Sequence, residues 1–140
     1  MPNRGPIVID TDVFSALLVD GSALARRYNP LLVGRPAFLS FQTVAELRFG
    51  AVRRGWGATR MARLEAEISR AEIVHTGPDL IDVYVGLRVA CEQAGHALSQ
   101  REHDADRWIA ATALRLGISL VSNDRIFEHA PGLVLEAVHS

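Results

Sequence analysis

The 140-residue chain contains no lysine: its fifteen basic residues are all arginine. Chemistry that needs a lysine amine is thereby excluded, and any phosphate contact must come from guanidinium groups, which can grip paired oxygens. Net charge is also small, at −1, so nucleic-acid contact would have to come from a local patch rather than from bulk attraction. A single cysteine, Cys91, rules out an intrachain disulfide and suits a reducing cytoplasm. Within an apolar helical pattern it reads as a small hydrophobe. No apolar run approaches the roughly 18 residues of a membrane helix, and the opening "MPNRGPIVID" lacks the apolar region and cleavage site of a signal peptide. The histidines at 75, 96, 103, 129 and 139 show no ligand spacing such as HxxxH, and they read as structural or solvated.

What is present is an ordinary globular composition, 49% hydrophobic and 22% charged. The length fits one domain, residues 1–140, able to bury a sizeable core. Short β-like runs alternate with helical patterns. "PIVID" (6–10) reads as a first strand, buried on both faces, and 36–40, 71–75, 118–122 and 133–138 as four more. Between them lie helical stretches at 12–28 (broken near Gly21, with Asp12 as N-cap), 42–54, 58–70, 79–95 (capped by Asp79) and 104–117. Gly95 and Gly117 read as helix stops. Strands separated by helices imply an α/β fold, a parallel sheet sandwiched between helical layers.

In such sheets ligands bind beyond the carboxyl ends of the strands. Asp10 ends the first strand, Asp124 lies just past the fourth, Glu46 is in the first turns of the helix after the second, and Asp106 is near the start of the helix leading into the fourth. These acids meet at one cleft if strands one and four are neighbours. Gathered carboxylates repel and raise one another's pKa unless a cation sits among them. Oxygen ligands favour Mg²⁺ or Mn²⁺, which suits hydrolysis of a phosphodiester.

Each acid also has a plainer explanation. Thr43 and Glu46 match a capping box; Asp104 and Asp106 suit a helix N-terminus; Asp124 suits a turn. Asp10 has no such role, because it ends a buried strand with no cap to make. Ala110 shares a face with Asp106 and leaves room beside it.

Four segments, "VIDTDVF" (8–14), "TVAELRFG" (43–50), "DRWIAATALRLG" (106–117) and "LVSNDRIF" (120–127), together resemble a PIN-domain protein, specifically a VapC-type toxin ribonuclease of a type II toxin–antitoxin pair. The resemblance implies a three-layer fold around a five-stranded parallel sheet of order 3-2-1-4-5. It implies a Mg²⁺- or Mn²⁺-dependent endoribonuclease with Asp10, Glu46, Asp106 and Asp124 as catalytic and metal-ligating residues. Ser122 would help orient the metal's surroundings. Asp12, where the family often has Asn or Ser, is either an additional supporting acid or a helix cap. A homodimer and a small VapB-type antitoxin that covers the cleft are implied as well.

Arg53, Arg54, Trp56, Arg60 and Arg63 form a basic segment around an aromatic residue. It reads as a solvated helix face with a packing tryptophan, or as an RNA-gripping edge in which Trp56 stacks on a base. Arg53, seven residues after Glu46 on the same helical face, is then the arginine placed to reach a phosphate. Trp108 should point away from the cleft, into the core or an interface. Two rival folds with acidic clefts, haloacid dehalogenase-type phosphatases and receiver domains, want a lysine that this chain lacks. The remaining alternatives are a PIN-type nuclease acting on structured DNA and a catalytically silent binding module.

Overall fold

The computed structural model of the chain describes residues 4–139. Strand β1 (Ile7–Ile9) is enclosed along its whole length. Its side chains alternate between two cores, as the two-residue period of a strand requires. Ile7 and Ile9 enter one apolar layer with Leu39 and Val121, while Val8 enters the other with Leu120 and Ile109. Around β1 are β2 (Ala37–Ser40), β3 (Glu72–Val74), β4 (Ser119–Val121) and β5 (Leu135–Glu136), all parallel, in the order 3-2-1-4-5. Each strand is shorter than the sequence pattern suggests.

Helices α1 (Thr11–Ala16), α2 (Ala23–Leu32), α3 (Phe41–Arg53) and α4 (Ala58–Ser69) contribute to the first apolar layer. Helices α5 (Pro78–Ala94) and α6 (Asp104–Leu116) build the second. The expected glycine stops are present: Gly95 and Gly117 both end their helices at φ +66°. Ala110 is fully buried, so its small size serves close packing of α6 on the sheet rather than space for an ion.

The break expected near Gly21 is present: the stretch 12–28 falls in two helices, and Ser22 caps the second through a 3.1 Å bond from the Ala25 amide. The caps of α1 and α5 differ from the sequence reading. Asp12 does not cap the first. Asp10 does, because α1 begins immediately after β1 with no linker between them. Asp79 lies inside the first turn of α5, behind Gly77 and Pro78, where its charge complements the helix dipole without capping.

No helix among the described residues is long and apolar enough to cross a membrane.

Candidate active site

The pairing of β1 with β4 sets Ile9 beside Val121, so the next residues, Asp10 and Ser122, emerge together at the carboxyl end of the sheet. Ser122 Oγ donates to Asp10 Oδ2 at 2.6 Å, and the Thr11 amide donates to Oδ1 at 2.8 Å. Asp10 is therefore both a helix cap and a nearly buried rim carboxylate, 5% exposed. Burial pushes its pKa well above the ordinary value and the Asp12 charge adds to this, against the pull of the Ser122 and Thr11 hydrogen bonds.

Asp12 is also part of the rim. Its Oδ1 accepts from the Val13 amide at 2.6 Å and its Oδ2 from the Asn123 amide at 3.1 Å, so it ties α1 to the loop after β4. Burial raises its pKa despite those bonds, with Asp124 adding repulsion.

Glu46 is not part of a capping box. The cap of α3 is Ser40, which accepts from the Gln42 amide at 3.2 Å, so Glu46 falls in the second turn. It accepts instead from Thr11 Oγ1 at 2.7 Å, and that hydroxyl lies 3.1 Å from Thr43 Oγ1. Burial and the charge of Asp106 raise the Glu46 pKa, while the Thr11 bond lowers it.

Asp106 meets His103 Nδ1 at 3.0 Å across the first turn of α6. Its pKa is raised by burial and by Asp124, and is pulled down by His103 and more weakly by Arg107. Asp124 is exposed; its Oδ1 accepts from the Ile126 amide at 3.0 Å and caps a short 3-10 turn, Arg125–Phe127. It is a turn residue and a rim acid at once.

The repulsion runs unbroken, from Asp10 to Asp12, to Asp124, to Asp106 and to Glu46. Among the described residues, none of these carboxylates pairs with an arginine, and His103 is the one basic partner. As placed, no three His, Cys, Asp or Glu side chains among the described residues converge to hold a metal ion. Each rim acid is instead turned onto a nearby donor. The donor chemistry nevertheless fits a hard divalent cation, being all oxygen, partly desolvated and uncompensated. Asp10, Asp106, Glu46 and Asp124 are the side chains that would hold one.

The sequence reading gives four participants no role at the rim. Thr43 appears in it only as half of a capping box and His103 only as a structural or solvated histidine beside Asp104, while Thr11 and Asn123 are legible only as neighbours of the acids.

A groove runs from the rim along α1 and α3. One section, about 410 Å³, is lined by Thr11, Glu46, Leu47, Gly50, Arg54 and Trp56 among others. It shares Leu18, Val19 and Trp56 with a second section of about 360 Å³ that reaches Arg60 and Arg63. Trp56 is half-buried against the core, with the Arg60 guanidinium 5.6 Å from its ring centre. Arg54, not Arg53, lines the groove. Gly50 lets it do so: a Cβ there would lie 3.1 Å from Arg54 Nη1. Trp108 lies away from the rim, as expected, stacked on Tyr84 at 4.0 Å and edge-on to Phe41 at 5.5 Å.

The sequence matches the PIN domain family over residues 7–133. The chain belongs to that family. Its PIN fold is also that of several solved toxin–antitoxin structures. VapBC2 from Rickettsia felis, bound to a DNA fragment from its promoter, superposes with a TM-score of 0.77 at 23% identity, covering 94% of this chain and 97% of that one. FitAcB from Neisseria gonorrhoeae gives 0.75 at 22% identity, covering 92% and 95%. VapC20 from Mycobacterium tuberculosis, described as a Sarcin-Ricin loop cleaving toxin, gives 0.56 at 20% identity, covering 81% and 85%. Among curated proteins none matches significantly. At these identities the likeness establishes the shared fold.

Proposed function

We propose that this PIN-domain chain is a divalent-metal-dependent endoribonuclease, the toxin of a toxin–antitoxin pair. The observation that carries the reading is the rim itself. Five carboxylates from β1, α1, α3, α6 and the loop after β4 are held in mutual repulsion with a single histidine for company. Such a cluster is costly to the fold unless a cation completes it, so its presence favours chemistry over packing.

A bound Mg²⁺ or Mn²⁺ supplies positive charge against the phosphodiester and favours ionisation of the attacking water. Asp10 and Asp106 would be the principal ligands, with Glu46 and Asp124 beside them. Ser122 and the Thr11 amide fix the Asp10 carboxylate, and His103 fixes that of Asp106. Asp12 holds the loop carrying Asp124 against α1. Trp56 and the arginines beside the groove would receive the RNA strand. The toxin assignment draws on the solved neighbours, among them a toxin–antitoxin complex from Klebsiella pneumoniae, a member of the VapBC family of toxin–antitoxin systems, and a Sarcin-Ricin loop cleaving toxin. It carries a small VapB-type antitoxin as partner and a homodimer as the working state.

The test compares wild type with Asp10→Asn on total RNA, with Mg²⁺, with Mn²⁺ and with EDTA, and then on duplex and flap DNA. Cleavage of single-stranded RNA that falls at least about 100-fold in the variant and vanishes in EDTA is the expected outcome. Equal cutting by both proteins, or indifference to EDTA, refutes the metal mechanism. A preference for duplex or flap DNA refutes the RNA assignment.

A further inference from the structure

The negative rim has a positive neighbour. An open cavity of about 460 Å³ begins at Asp124 and is lined by Arg27, Asn123, Asp124, Arg125, Val138 and His139. We infer that this cavity is a subsite for a backbone phosphate of single-stranded RNA, flanking the phosphodiester presented to the rim acids. The inference rests on the ribonuclease reading above and adds a place and a direction for the strand.

The walls of the cavity are tied together from three parts of the chain. Tyr28, fully buried in α2, has its hydroxyl 2.9 Å from Asn123 Oδ1 and 3.2 Å from the Ser122 carbonyl, and it accepts from the Val138 amide at 3.0 Å. One phenol thus fixes α2, the loop after β4 and the C-terminal segment relative to one another, at sequence separations of 94 to 110 residues. A site held this way needs little ordering when a ligand arrives.

The cations in the walls are available. Arg27 has no carboxylate partner among the described residues; its guanidinium lies 5.9 Å from the Tyr28 ring centre and reaches Asn123 Oδ1 at a long 3.4 Å. Arg125 is paired with Glu128 at 2.9 Å, an exposed i,i+3 contact of the kind that holds weakly against a phosphate. Asn123 uses its side-chain oxygen for Tyr28 and Arg27, which leaves the amide NH₂ to donate.

The placement also answers an electrostatic need. A polyanion approaching five carboxylates is repelled unless cations meet it close by. Arg125 directly follows the rim acid Asp124 and Arg27 reaches Asn123, so a strand can lay one phosphate at the rim and another in the cavity.

The test is fluorescence anisotropy of a labelled single-stranded RNA oligonucleotide, titrated with protein in EDTA at several salt concentrations. Arg27→Ala and Arg125→Ala should each weaken binding about tenfold and flatten the dependence of log affinity on log salt by about 0.7. Arg70→Ala, at the far end of α4, serves as the control for loss of charge alone. Both cavity arginines are exposed, and a thermal melt checks that each variant is folded. If wild type binds RNA while the two variants match the Arg70→Ala control in affinity and salt slope, the subsite is refuted and the nuclease reading stands. If wild type ignores RNA and binds duplex DNA or nothing, both fall.

Discussion

Asp104 and Asp106 lie two residues apart in the first turn of α6, and the protein treats them in opposite ways. Asp104 accepts from Tyr84 Oη and, at 3.1 Å, from Arg107 Nη2. Arg107 is 1% exposed, and its other nitrogens reach the Leu98 and Gln100 carbonyls, both at 2.6 Å, and Tyr84 Oη at 3.3 Å. All three Arg107 nitrogens have an acceptor. Asp106 faces the rim, where acid follows acid and the sole basic partner among the described residues is His103. The chain does not lack arginines for the rim; it places them elsewhere, as with the bidentate Arg35–Glu136 pair on β5. Compensated charge builds the fold, and uncompensated charge is kept where a ligand can supply the missing sign.

Removing the compensated side should do the greater damage. Arg107→Ala leaves two backbone carbonyls and Tyr84 without their donor, with the exposed Asp104 free to turn to water, and should cost about 2–4 kcal/mol of stability in urea unfolding. A loss below about 1 kcal/mol would mean that this network is dispensable.

Removing an uncompensated charge should have the opposite sign. Asp10→Asn keeps a capping side chain and is expected to raise metal-free stability at neutral pH by about 0.5–2 kcal/mol. The pH dependence sharpens this. Asp10, Asp12, Glu46 and Asp106 all have folded-state pKa values raised above 3.8 or 4.5. The stability they contribute is complete below those values and declines as pH rises through the folded-state ones. Glu65 and Glu136, lowered by Arg48 and Arg35, act the other way, losing their contribution as pH falls below 4.5. The advantage of Asp10→Asn should therefore widen from pH 4 to neutrality in metal-free unfolding curves. Mg²⁺ at about 100 times its Kd should add about 2.7 kcal/mol to wild type and much less to the variant.

The smallest effect separates two neighbouring arginines. Arg54→Ala, in the groove, should raise KM for RNA by up to about fivefold, and Arg53→Ala should change it less. Equal effects would return both residues to a general charged surface.

The sheet and its two cores were legible because they follow from short-range pattern. β-Branched runs, alternation along β1 and the glycines at 95 and 117 are all local signals. The four acids could be selected by their positions after strands, and the shared register of β1 and β4 brings Asp10 and Ser122 together as that selection requires. What escaped was decided by a one-residue offset or by distance along the chain. Asp12 and Asp10 compete for the same cap, and only the missing linker after β1 assigns it to Asp10. Arg53 and Arg54 differ by 100° around a helix, and the helix end decides between them. Tyr28 looks like any core aromatic until its hydroxyl is found bonded across 110 residues.

Asp10 ends a strand, starts a helix and carries the acid of the rim. The first two duties are met equally by asparagine, one nucleotide away in the genetic code. Exchanging the carboxylate for its amide would therefore remove the acid while keeping the strand end and the helix start, and a silent copy of such a domain would be recognisable by that amide.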